Sequence, residues 1–113
     1  MRYADVLLMY AEAKIELGEI DASVHEAMNA VRARAYGVDK GEVTQYPEIT
    51  TTDQAALRTI LRTERRMEFG FEGVRYSDII RWKIAEKVLN RDVYGMLDVA
   101  ELKDKVIDQD LWF

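Results

Sequence analysis

The sequence predicts an all-α fold of stacked antiparallel helical hairpins, and three observations carry that prediction. Leu57, Ile60, Leu61, Glu64, Met67, Glu68 and Phe71 recur at i, i+3, i+4, i+7 spacing, so they lie on one stripe of a helix. A short turn from Gly18 to Asp21 separates two further helical stretches, which must then pack side by side and run in opposite directions. Small polar residues able to cap a helix N-terminus, Asp21 and Asp53 among them, stand immediately before the periodic stretches.

The first helix is expected over Tyr3–Leu17, ending at Gly18. Tyr3, Val6, Leu7, Tyr10, Lys14 and Leu17 form one face. Leu8, Met9, Ala11, Ala13 and Ile15 spread apolar surface over much of the remainder, leaving Asp5, Glu12 and Glu16 as the polar strip. A helix this apolar requires neighbours on two sides. Asp21 caps the second helix, which runs to Ala35 with Val24, Ala27, Met28, Val31 and Ala35 in its seam. Together these make a first hairpin over 3–35. The Gly18 turn and the small residues after it are similar to a tetratricopeptide unit, with loose spacing.

Periodicity disappears over 36–52, where Gly37, Gly41, the single Pro47 and three successive threonines read as a loop. Loops of that length are uncommon inside compact domains and often functional. A solvated connector or a crossover to the next hairpin is the plainer expectation, with Tyr46 exposed. Asp53 or Thr52 then caps a second hairpin over 53–90, whose two helices meet at an elbow near Gly70 and Gly73, glycine being the residue that reaches positive φ at little cost. After a turn at Val93, Tyr94 and Gly95, Asp98 and Glu101 form a capping box flanked by Leu97 and Leu102, which predicts a short terminal helix over 98–108.

The run ERRMEFGFEGVRYSDIIRW resembles the signature of the SusD/RagB family, surface glycan-binding lipoproteins of Bacteroidetes. The matching positions are Glu64, Arg65, Arg66, Glu68, Phe69, Phe71, Glu72, Gly73, Arg75, Asp78, Ile79, Arg81 and Trp82. One departure is Gly70, where the family more often carries a helix-friendly residue such as alanine. A second block, RYADVLLMYAEAKIELG followed by AMNAVRARAYG, resembles the helical hairpin that precedes that signature. The resemblance implies a tetratricopeptide-like scaffold within a protein that binds oligosaccharides without catalysis. It also implies attachment at the outer membrane as a lipoprotein and a TonB-dependent, SusC-like transporter as partner. The family's glycan-contacting residues vary and lie mostly on irregular regions, so no binding residue is carried over. The chain has no signal peptide or lipidation cysteine, its first residues run straight into an apolar helix, and it closes on Leu111, Trp112 and Phe113. It therefore reads as an internal segment of a longer protein. The rival reading is a free-standing tetratricopeptide-like interaction module.

Composition narrows the chemistry. The 113 residues amount to one domain, 49% hydrophobic, with no run long enough to span a bilayer. Sixteen basic against 21 acidic residues give a net charge of −5, which argues against a nucleic-acid surface. Without cysteine there are no disulfides, thiol nucleophiles or thiolate metal sites. Glu64, Glu68 and Glu72 share a face, but a carboxylate-bridged metal pair needs Glu-x-x-His partners, and the single His25 stands outside any such pattern. Glu72 and Asp78 as a glycosidase pair are disfavoured by Arg75 and Arg81, which keep carboxylates ionised. The arginines Arg58, Arg62, Arg65 and Arg66 are interleaved with acids and read as a self-neutralising face.

No enzyme and no cofactor are expected. The charged residues of the signature, Glu64, Arg65, Glu68, Glu72, Arg75, Asp78 and Arg81, are expected to include a partly buried ion network locking the elbow, with Phe71 and Trp82 packed beneath it. Trp82, Trp112, Tyr46, Tyr76 and Tyr94 are the aromatics with the apolar faces that sugar stacking would use.

Overall fold

The computed structural model describes residues 1–92, which form five helices: α1 (Tyr3–Leu17), α2 (Ala22–Ala35), α3 (Gln54–Glu68), α4 (Arg75–Arg81) and α5 (Ala85–Leu89). Among the described residues there is no strand. The helix expected over 98–108, the turn at Val93, Tyr94 and Gly95, and the apolar residues Leu111, Trp112 and Phe113 lie outside them. The chain divides into two compact units, Met1–Tyr76 and a second from Ser77 onward.

In the first unit α1 is the middle helix. Lys14 pairs with Asp21 and the Tyr10 hydroxyl lies 2.8 Å from Ser23 Oγ, so α2 folds back along α1. Contacts to α3 also run in reverse order, with Arg2 on Glu68, Asp5 on Arg65 and the Ile15 carbonyl on the Gln54 amide. Both neighbours are therefore antiparallel to α1 and parallel to each other. A connection between parallel helices must travel back along their length, about 21 Å for the 14 residues of α2. That return is the structural reason for the long segment between α2 and α3.

The core confirms buried stripes on α2 and α3, although Ala35 and Met67, which spacing placed in them, are exposed, and it corrects the face of α1. Ala4, Leu8, Ala11 and Ile15 are buried against Val24, Ala27, Met28 and Val31 of α2, Leu57 and Leu61 of α3, and Ile49 and Phe69. Leu8 is fully enclosed, whereas Tyr3 and Leu17 are more than 70% exposed. The two alanines decide the matter: a middle helix approached from two sides needs short side chains where the backbones come close. Tyr3, Val6, Tyr10, Ala13 and Leu17, spaced alternately by three and four residues, form a second apolar seam facing outward.

Helix ends follow local chemistry. Asp21 accepts from the Ser23 N–H at 2.9 Å and Asp53 from the Ala56 N–H at 2.9 Å, capping α2 and α3. At Gly18, φ 76°, the Gly18 N–H reaches the Ile15 carbonyl and the Glu19 N–H the Lys14 carbonyl, a Schellman ending. The same pair of bonds closes α4, where the Lys83 N–H meets the Ile80 carbonyl and the Ile84 N–H the Ile79 carbonyl. Lys83 takes the left-handed position with φ 56°. The second signature helix therefore stops at Arg81 and restarts at Ala85, rather than running unbroken toward Asn90. A lysine in the place usually held by glycine gave no sequence signal of that break.

Asp21 joins two helix ends, and its ionisation makes a prediction. The Lys14 ammonium and then the Ser23 hydroxyl hold its carboxyl well below the usual aspartate range. A depressed folded value means that its stabilisation is complete above about pH 4, the unfolded value, and is lost as pH falls through the folded one. Asp21→Asn is therefore expected to remove part of the acid slope of thermal stability between about pH 4 and pH 2. An acid slope identical to that of the parent chain would disprove the coupling.

Candidate functional site

The signature occupies the end of α3, the elbow and α4, and most of its first-unit charges are paired with residues outside the signature. Glu64, 9% exposed, accepts from Arg32 of α2, with Nε at 2.8 Å and a second bond from Nη2. Arg65, 5% exposed, donates to Asp5 of α1 at 2.9 Å. Arg2 forks across the elbow. It donates to Glu68 Oε1 at 2.9 Å, to the Glu68 carbonyl at 3.0 Å and to both carboxylate oxygens of Glu72 at 2.8 and 3.2 Å. The bond to the Glu68 carbonyl satisfies an acceptor that the end of α3 leaves open. Glu72 and then Glu68 raise the Arg2 guanidinium above its ordinary range, so this fork stays charged. Beneath it lies Phe69, buried, with the Arg2 and Arg65 guanidinium carbons 5.2 and 5.0 Å from its ring centre.

In the second unit Asp78 is buried and accepts from Arg81 at 2.9 Å, the i, i+3 pair that the spacing allows. Arg81 also lies 5.1 Å from the centre of the half-buried Trp82 ring. Arg75, which belongs to the first unit, is half-buried on the first turn of α4.

Two expectations at the elbow are corrected. Phe69, not Phe71, is the buried aromatic; Phe71 is fully exposed. The left-handed residues are Phe71, φ 64°, and Gly73, φ 79°, while Gly70 has no positive φ. The Glu72 N–H bonds to the Phe69 carbonyl at 3.1 Å, closing a tight turn over Gly70 and Phe71, and the turn's geometry places the positive φ one residue later than composition suggested. Arginines of α3 are neutralised chiefly from α1 rather than along their own helix: Arg58 grips both oxygens of Glu16 at 2.7 and 2.9 Å and holds that carboxyl below its usual range.

The segment after α2 is clipped to that helix. Asn29, 4% exposed, donates to the Ile49 carbonyl at 3.0 Å and accepts the Ile49 N–H at 2.7 Å. Arg32 donates to the Pro47 carbonyl at 2.7 Å, and His25 Nε2 lies 2.6 Å from the Thr51 carbonyl. His25, Asn29 and Arg32 fall at i, i+4 and i+7, so one face of α2 holds the segment along its length. Tyr46, expected to be exposed, is 5% exposed and donates its hydroxyl to the Lys40 carbonyl at 2.7 Å. A phenol closing a six-residue loop buries its ring while satisfying its polar end.

Of the other aromatic candidates, Tyr76 is 76% exposed, and Tyr94 and Trp112 lie outside the described residues. An open depression of about 610 Å³ at the end of α2 is lined by Ala30, Ala33, Arg34, Gly37, Val38, Asp39, Lys40 and Glu42, with no aromatic among them. Among the described residues no group of three metal-ligating side chains converges.

The model of the SusD family matches residues 1–113. The chain belongs to the SusD family. Three similar proteins of Formosa agariphila agree with that assignment. SusD-like protein P2 is 38% identical over 78% of this SusD-family chain, SusD-like protein P38 is 33% identical over 99% of it, and SusD-like protein P25 is 37% identical over 74%. The matched stretches are 17%, 21% and 15% of those relatives, so the chain spans about a fifth of their length or less. No solved structure matches it. The all-helical plan of α1–α5 is the tetratricopeptide-like architecture of the family.

Proposed function

We propose that this chain is the helical scaffold of a SusD-like protein that captures oligosaccharides at the outer-membrane surface without turning them over, and that works with a TonB-dependent, SusC-like transporter. The family match over the whole chain carries this reading. Membership implies a non-catalytic, surface-anchored lipoprotein, with glycans and the transporter as its partners. The signature charges Glu64, Arg65, Glu68, Glu72, Arg75, Asp78 and Arg81 are structural in this reading and take no part in binding.

The scaffold role is supported by where the aromatics go. Sugar capture uses exposed ring faces bordered by hydrogen-bonding groups. Here Tyr46 is turned inward and Phe69 is covered by two guanidinium groups, and although Tyr3, Phe71 and Tyr76 are exposed, the open depression has no ring in its lining. A free-standing interaction module is the competing reading, and the outward apolar seam of α1 is compatible with it; the family match favours the scaffold.

Calorimetric titration of the 113-residue chain with a panel of neutral polysaccharides is expected to give no saturable heat. Saturable binding would place the glycan site within these residues and overturn the scaffold role.

A further inference from the structure

His25 is the sole histidine of the chain, and both of its ring nitrogens face backbone carbonyl oxygens. Nε2 is 2.6 Å from the Thr51 carbonyl and Nδ1 is 3.1 Å from the Asp21 carbonyl. Carbonyl oxygens only accept, and a neutral imidazole carries one N–H where the imidazolium carries two. Only the protonated ring can therefore donate to both. The Thr51 contact is partly buried and the shorter of the two, whereas the Asp21 contact is exposed. A neutral ring then keeps its proton on Nε2 and turns the Nδ1 lone pair on Asp21 O, which already accepts the Val24 N–H at 3.2 Å.

We propose that His25 is a proton-operated latch between α2 and the crossover segment. Protonated, the ring is anchored to the start of α2 through Asp21 and holds the segment at Thr51. Deprotonated, it keeps one hold and loses its anchor, and the Thr51 end of the segment loosens. Asn29 and Arg32 carry no such dependence, so Ile49 and Pro47 stay clipped in both states. The effect falls on the approach to α3, because Asp53, two residues beyond Thr51, is the cap of that helix.

The charged groups on each side are already engaged. The Asp21 carboxylate is taken by Lys14 of α1 and by Ser23, and the Asp53 carboxylate by the Ala56 N–H. Histidine is the side chain whose ordinary titration falls between about pH 5 and pH 8, a range in which aspartates stay ionised.

A single histidine makes the test clean. The 15N-labelled chain would be titrated from about pH 8 to pH 5, following the imidazole nitrogens and the exchange of individual amides corrected for intrinsic pH dependence. The neutral ring is expected as the Nε2–H tautomer. Exchange at Asp53 and Ala56 should slow by about three- to tenfold on protonation, with the midpoint of the ring, while the Ile49 amide stays unchanged. His25→Gln should abolish that pH dependence. A neutral ring protonated on Nδ1, or exchange at Asp53 and Ala56 that does not follow the ring in the parent chain, would overturn the latch.

Discussion

Glu64→Ala is expected to destabilise the chain by about 3–5 kcal/mol. Glu64 and Arg32 have side chains only 11% and 20% exposed, and they meet through two bonds, so the alanine leaves a largely desolvated guanidinium whose Nε and Nη2 have lost their carboxylate. Water reaches a pair that buried poorly. The remaining bond from Arg32 to the Pro47 carbonyl cannot compensate, because it uses Nη1. An exposed pair, by contrast, contributes roughly 0–1 kcal/mol. Glu64→Gln, which keeps an acceptor but loses the charge, should fall between the two limits. The measurement is the urea midpoint against Glu26→Ala, a substitution on the exposed side of α2. Equal midpoints for Glu64→Ala and Glu26→Ala would mean that the pair is solvated and that the signature glutamate does not tie α3 to α2.

The same geometry explains why the charges of the signature were legible as a group and their partners were not. Spacing along one helix identifies which residues share a face, and it correctly marks Asp78 and Arg81 as able to meet. It says nothing about what arrives from another element. Arg2, Asp5 and Arg32 lie 32 or more residues away from the signature charges they meet. Arg2 in particular stands at the N-cap position of α1, where no side-chain cap bond forms; its side chain is committed to the elbow instead.

Element type was readable because local and tertiary signals agreed. Asp21 and Asp53 cap the helices they precede, and Gly18 ends α1 in the left-handed conformation that glycine tolerates. Legibility failed wherever a residue took a conformation foreign to its type, as Phe71 and Lys83 do. It failed too on α1, where apolar residues surround the helix and periodicity cannot choose a face. Packing chose it, through Ala4 and Ala11. Tyr46 illustrates a third cause: a loop aromatic looks exposed in sequence until its hydroxyl finds a carbonyl six residues back.

Asn29→Ala is expected to cost about 2–4 kcal/mol, although it removes one small polar side chain from a helix and raises intrinsic helix propensity. Asn29 is the polar residue buried in the middle of α2, and its amide serves both backbone groups of Ile49 at once. Removing it orphans a carbonyl and an N–H in a place from which water is excluded, and an unsatisfied buried group costs about 1–3 kcal/mol. Ile49 is itself part of the core, 3% exposed, so the segment cannot swing out to hydrate those groups without also exposing that side chain. Asn29→Asp separates geometry from mere size. The carboxylate keeps the acceptor for the Ile49 N–H but faces the Ile49 carbonyl with no donor, so it should be at least as damaging as alanine. Chemical denaturation of both variants decides the point. If each loses less than about 1 kcal/mol, the segment between α2 and α3 is a solvated connector and the clip is incidental to the fold.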